Sequence, residues 1–306
     1  MILIGENIHI ISKAVREALV NRNESFLIEL INVQKTLSYT DLNVGPAKGH
    51  LEGILPWLTE LVENNSDLKI SFDTTNYSEM LKGLSVCKFP EKAFINSTSK
   101  DEERLEKMTS LASEYNCNLI ALTLSKETGI PKTADGRLEI AFDIYEKCLE
   151  KGILSEKLYF DPLILPICVE QAQSVEAINT IRMIKESFEP PVKTIIGLSN
   201  ISNSCPVELR PLINRVFGVL TFGAGLDAAI IDARDLELIR IFRMLESNSP
   251  QSKCDELYIK LAEMVRDFSD IESVKFNSNS SDEQRIIKCA SVLLNKKIYS
   301  HSFTQI

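Results

Sequence analysis

Histidine is the scarcest of the common catalytic residues in this 306-residue chain, which holds only His9, His50 and His301. Cysteine is present seven times but is scattered, and the nearest two, Cys148 and Cys168, stand 20 residues apart. No CxxC-type ligand cluster exists. These absences argue against a His-based metal site and a Cys-His nucleophile pair, and no resident metal is expected. An odd, dispersed set of thiols reads as buried or incidental side chains in a reducing compartment. Positive charge is in deficit too. Thirty-four basic residues against 43 acidic ones leave a net charge of −9, which disfavours nonspecific attraction to nucleic acid or anionic lipid. No apolar run approaches the roughly 20 residues that cross a bilayer. MILIGENIHI reaches Glu6 too soon, and without a basic leader, to read as a signal peptide. The expectation is a cytoplasmic protein with neither nucleic acid nor membrane as partner.

What the chain does have is rhythm. Short β-rich runs lie at 2–5, 39–44, 68–73, 92–97, 118–124, 157–165, 193–199 and 226–232, with helical periods between them. In DEERLEKMTSLASEY the apolar residues Leu105, Met108, Leu111 and Ala112 form a core-facing stripe. Ser99 ahead of it, with Glu102 three residues on, reads as a capping box. Alternating strands and helices imply a parallel sheet, and eight such units imply a (β/α)8 TIM barrel, a single domain over 1–306. An open doubly wound sheet is the weaker reading, because GENIHI after the first strand is not a GxGxxG phosphate loop. Beyond Asp235 the rhythm breaks: LELIRIFRML, a polar ESNSPQSK, then the amphipathic CDELYIKLAEMVRDFSDI at 254–271. Residues 245–283 read as a helical insertion near the C-terminus, packed on the outer shell or serving a partner or dimer contact.

In a barrel the reactive groups project from the carboxyl ends of the strands. Those ends present Glu6 and Asn7, Asp41 and Asn43, Asp73 and Thr74, Asn96 and Ser97, Thr123, Asp161, Ser199 and Asn200, and Asp232. This is a ring of carboxylates and amides with hardly any basic groups. It suits a neutral heterocycle rich in N–H donors better than a phosphate ester. A carboxylate accepts two parallel hydrogen bonds from an amino group and a neighbouring ring N–H, and Asn matches a ring that mixes C=O with N–H. A pterin has that edge. Asp41, Ser97 and Asp232 serve equally well as caps for loop backbone. Asp73 and Asp161 each end an apolar strand and are costly to leave unpaired.

Six motifs in order, DLNVGPA (41–47), SFDTTN (71–76), INST (95–98), YFDPLILP (159–166), GLSN (197–200) and RPLINR (210–215), resemble the pterin-binding TIM-barrel superfamily. Within it the likeness runs to the methyltetrahydrofolate:corrinoid/iron-sulfur protein methyltransferases of acetyl-CoA-pathway organisms, over about 1–245 and 284–304. Dihydropteroate synthases share the aspartates but carry a basic residue after the strand-seven Gly-x-Ser and an Arg-x-His at strand eight. Here Asn200 follows GLS and the eighth strand ends IIDARD, so the groups that support a pyrophosphate leaving group are absent. The resemblance implies that Asp73, Asn96 and Asp161 bind the pterin and that Gly197 and Ser199 let the strand-seven backbone approach it. Asn200 is implied to reach N5, which carries the methyl group.

Asn203 and Arg210, in a loop about two residues longer than the family's, are secondary participants. Asn7 and His9 depart from the Arg and Asn of relatives. The resemblance further implies 5-methyltetrahydrofolate as substrate, a homodimer, and a cobalt corrinoid carried by a separate corrinoid/iron-sulfur protein, since the chain lacks a corrinoid-binding DxHxxG. Lys100, Lys126 and Lys132 are candidates to meet the anionic folate tail, or are plain surface lysines. N5 must gain a proton or a strong hydrogen bond before its methyl group departs. Asn200 is expected to stabilise the protonated form, with the proton coming from solvent. The alternatives are service to another corrinoid protein and a non-catalytic folate-binding scaffold.

Overall fold

The computed structural model describes residues 1–304. Strands β1 (Ile2–His9), β2 (Tyr39–Gly45), β3 (Lys69–Thr74), β4 (Phe94–Thr98), β5 (Asn118–Leu122), β6 (Leu158–Asp161), β7 (Lys193–Gly197) and β8 (Ala228–Ile231) pair in chain order. All pairs are parallel, and β8 returns to β1 to close the barrel. Helices α1 (Lys13–Val20) and α2 (Glu24–Gln34) follow β1. Then α3 (Ile54–Asn65), α4 (Tyr77–Val86), α5 (Glu102–Tyr115), α6 (Ala134–Glu150), α7 (Gln173–Ser187) and α8 (Arg210–Gly223) alternate with the strands. After β8 come α9 (Leu236–Ser247), α10 (Lys253–Arg266) and α11 (Ser281–Leu293). This is the α/β TIM barrel that the alternation implies.

The strands are apolar on both faces because one face meets the helices and the other fills the cylinder. Inside, Ile4, Phe94, Ile120, Tyr159, Ile195 and Ala228 make a dry plug. Phe94 meets Tyr39 and Tyr159 edge-on, with centroids 5.1 and 4.8 Å apart.

Boundaries differ from the expected ones where local geometry outweighs hydropathy. β1 continues past residue 5 to His9 and shifts register between Gly5 and Ile8. β6 stops at Asp161 rather than 165, because Pro162 has no N–H for the ladder and Leu163 takes a positive φ of 64°. The eight-residue α1, capped by Ser12, was too short to stand out as a period. Asp101, and not Ser99, caps α5: its carboxylate accepts from Arg104 N at 3.1 Å. Ser99 Oγ instead accepts from Asp101 N at 3.4 Å. Within 245–283, α10 lies on α8 so tightly that a Cβ on Gly223 would stand 2.3 Å from the Ala262 carbonyl oxygen.

Candidate functional site

Register builds one half of the mouth. Asn43 stands beside Asp73, and Asp73 beside Asn96, so β2, β3 and β4 present an amide, a carboxyl and an amide at one level. Asn43 Nδ2 donates to Asp73 Oδ2. Asn96 Nδ2 donates to Asp41 Oδ1 at 3.1 Å, and Ser71 Oγ donates to the same oxygen at 2.5 Å. Arg104, reaching in from α5, donates to the carbonyls of Thr74, Thr75 and Ser97. It draws together the ends of β3 and β4 and sets a positive charge near Asp73.

The other half comes from β6, β7, β8 and β1. Asp161 ends β6 and accepts from Leu163 N at 2.7 Å, which the positive φ of Leu163 permits. Leu198–Ser202 form a 3-10 turn directly after β7. Ser199 Oγ donates to Glu6 Oε1 at 2.6 Å across the mouth, and Asn200 is exposed beside it. A Cβ on Gly197 would lie 2.9 Å from Asn200 Nδ2, so the amide rests over the bare glycine. Asn203 Nδ2 donates to Asn200 Oδ1 at 3.2 Å. Arg210 opens α8 and turns its Nε to the Cys205 carbonyl, 2.9 Å away. Asn7, a departure from relatives, donates to Asp232 Oδ1 at 2.5 Å and accepts from Ala233 N at 3.0 Å. Asp232 Oδ1 also accepts from Arg234 N at 2.9 Å and so caps loop backbone, as one of its two readings held.

Burial dominates the electrostatics. It pushes Glu6 up to about 7, against the Ser199 hydrogen bond, with Asp232 and Asp41 adding like charge. It raises Asp161 to about 7, opposed by the Leu163 N–H and by Arg137. Asp41 rises to about 6 by burial, held back by Ser71, Asn96 and Asp73. Asp73 is raised well above the usual carboxylate range by burial and then by the Asp41 charge. Burial also lowers His9, with Asp232 opposing. The mouth thus holds carboxyl groups that burial raises despite their hydrogen bonds from Asn43, Asn96, Leu163 N and Ser199.

Asp73, Asn96, Asp161, Gly197, Ser199 and Asn200 all reach this mouth. Sequence reasoning did not single out Asn43, Asp41, Glu6 and Arg104 as partners of these residues. Asn43 and Glu6 were legible as strand ends, but their pairings follow from register and barrel closure. Arg104 sits in a helix pattern with no signal of its inward reach. Of the lysines, Lys100 pairs with Asp143 on α6, whereas Lys126 and Lys132 are exposed. Among the described residues no group of three or more His, Cys, Asp or Glu side chains is arranged to hold a metal ion. None of their helices is long and apolar enough to cross a membrane.

A closed barrel whose mouth gathers carboxyls and amides defines a class, and the family comparison identifies it. Residues 31–232 match the model of the pterin binding enzyme family, and the chain belongs to that family. It is 25% identical over 243 residues to the methylcorrinoid:tetrahydrofolate methyltransferase of Eubacterium limosum, covering 77% of this chain and 87% of that protein. It is 29% identical over 255 residues to the methionine synthase of Mycobacterium tuberculosis, covering 79% of this chain but 21% of that much longer protein. Among solved structures, the dihydropteroate synthase of Yersinia pestis superposes with a TM-score of 0.57 at 13% identity, over 80% of this chain and 93% of that one. That of Coxiella burnetii gives 0.58 at 14%, over 81% and 94%. At such identities these two report the barrel fold alone.

Proposed function

We propose that this chain is a single pterin-binding domain, with 245–283 a helical insertion, that catalyses methyl transfer between N5 of tetrahydrofolate and the cobalt of a protein-held corrinoid. Asp73, Asn96 and Asp161 grip the pterin edge, Gly197 and Ser199 allow the β7 backbone close to the ring, and Asn200 meets N5. Asn203 steadies the Asn200 amide, and Arg210 holds the β7–α8 loop. In the direction favoured by the motif resemblance, the methyl group of 5-methyltetrahydrofolate passes to Co(I) of a corrinoid/iron-sulfur protein. The C–N5 electron pair stays on N5, which takes up a proton.

The supporting observation is the placement of Asn200 beside Gly197, across the mouth from Asp73 and Asn96. An amide there accepts a hydrogen bond from N5–H⁺ as charge develops, which is stabilisation that grows toward the transition state. Asn200 follows Gly-Leu-Ser where the synthases carry a basic residue, which argues against pyrophosphate chemistry. The corrinoid enters as a substrate on its partner, so the barrel mouth stays open to a large body. A homodimer acting in the cytoplasm, within one-carbon metabolism of the acetyl-CoA type, completes the proposal. The reverse direction is the second reading, favoured by the name of the Eubacterium limosum relative.

Titration calorimetry with 5-methyltetrahydrofolate, followed by anaerobic mixing with free cob(I)alamin, tests the proposal. Binding with methylcobalamin formation is expected. Binding without transfer leaves a folate scaffold, and absence of binding overturns the folate assignment. Asn200→Ala is expected to lower kcat/KM by roughly 10²-fold, the scale of one preorganised polar contact. A variant with near wild-type transfer removes Asn200 from the mechanism.

A further inference from the structure

Asn200 is an amide and has no proton to give, yet N5 must exchange one in either direction of transfer. Asp73 and Asn96 are committed to gripping the ring edge, and Asp161 is tied to its own loop through Leu163 N. One carboxyl remains that is both buried and linked to the Asn200 turn. Glu6 stands inside the mouth on β1, and its Oε1 accepts from Ser199 Oγ at 2.6 Å. Ser199 is the immediate neighbour of Asn200 on the same 3-10 turn. A hydroxyl both donates and accepts, so Ser199 is competent to pass a proton while keeping its place.

We propose that Glu6 stores the proton that the folate N5 exchanges during methyl transfer, and that the Ser199 hydroxyl relays it. The proposal rests on the methyl-transfer reading of this site. In the forward direction the Ser199 hydroxyl turns from Glu6 toward N5, so that Oγ accepts the proton of the Glu6 carboxylic acid as Ser199 gives its own to N5. The methyl–N5 bond breaks with its electron pair left on nitrogen, the methyl group bonds to the cobalt(I) of the corrinoid substrate, and Glu6 is left as a carboxylate. Solvent at the open mouth reprotonates it. In reverse, the Glu6 carboxylate collects the proton that N5 sheds on methylation.

The groups around Glu6 keep this exchange near neutrality. Asp232 after β8 and Asp41 on β2 face it with like charge and raise it, alongside burial. His9, further along β1, and Arg234 share a polar cavity of about 250 Å³ with Glu6 and Asp232. The raised acid is protonated below about 7, so forward transfer is expected to slow as pH rises through that value, and reverse transfer to quicken.

The test is single-turnover transfer from 5-methyltetrahydrofolate to free cob(I)alamin as a function of pH, with folate affinity measured in parallel. Burial also raises Asp41, Asp73 and Asp161, so the difference between wild type and Glu6→Gln carries the information. Glu6→Gln keeps the size of the side chain and an acceptor for Ser199. It is expected to lose the limb near neutrality and to slow transfer by roughly 10- to 100-fold, with folate affinity within about threefold of wild type. Ser199→Ala, which removes the hydroxyl and keeps the turn small, is expected to slow transfer comparably. An unchanged pH profile in Glu6→Gln overturns the proposal. So does a loss of folate affinity with full transfer at saturating folate, which makes Glu6 a binding residue only. Wild-type protein that binds and transfers while Glu6→Gln behaves identically sinks the relay alone. Wild-type protein that does neither sinks the methyl-transfer reading, and the relay with it.

Discussion

Gly197 shows how far a single missing side chain reaches. Its φ of −81° suits any residue, so the glycine is not required by backbone conformation. What a Cβ would meet is the Asn200 amide at 2.9 Å, the far end of a side chain free to move. Gly197→Ala is therefore expected to leave the thermal midpoint within about 1 °C while lowering kcat/KM about tenfold, a loss of about 1.4 kcal/mol of transition-state stabilisation. A large drop in stability with normal turnover contradicts the account. At this scale Asn200 and its glycine were readable as GLSN, but the 2.6 Å contact between Ser199 and Glu6 was not, because 193 residues separate them.

Among the elements, α8 does more than close one βα unit. Its face carries Val216, Phe217, Val219 and Leu220, all buried, and α10 and α11 pack over it. Gly223 lets the α10 backbone approach, and the nearest atom to an added Cβ is the Ala262 carbonyl oxygen at 2.3 Å, which cannot swing aside. Gly223→Ala is expected to lower the urea midpoint by an amount equivalent to about 1–3 kcal/mol, the usual range for overpacking. Folate affinity should be retained, because Gly223 lies on the outer layer, away from the mouth. Unchanged urea resistance counts against close helix contact here. The amphipathic period of α10 was legible in the sequence, whereas its seat on α8 depends on a close approach that no period announces. α1 escaped notice altogether, since eight residues span barely two turns.

For the molecule as a whole, the buried carboxyls of the mouth tie function to stability. Burial raises Glu6 and Asp161 to about 7 and Asp41 to about 6 in the folded chain, against about 4 for exposed carboxylates. Raised values mean that the protonated forms favour folding. The associated stability is fully present below about pH 4 and is lost as pH rises through 6 to 7. Each group contributes a slope of at most about 1.4 kcal/mol per pH unit across its window. Thermal unfolding of ligand-free protein is expected to show Asp161→Asn gaining on wild type between pH 5 and pH 8, with folate narrowing the gap for wild type. A constant difference across that range contradicts the burial of Asp161.

Sequence alone determined the alternation of eight strands with amphipathic helices, because periodicity follows from local backbone geometry and from which face must leave water. It also determined the amide and carboxyl character of the strand ends, since residue type is chemistry wherever it sits. Only the closed barrel decided which of those groups meet. Register set Asn43 beside Asp73 beside Asn96, and closure of β8 onto β1 brought Glu6 within reach of Ser199. Such pairings depend on atoms converging from distant parts of the chain into one dry, crowded space, and no local pattern encodes that distance.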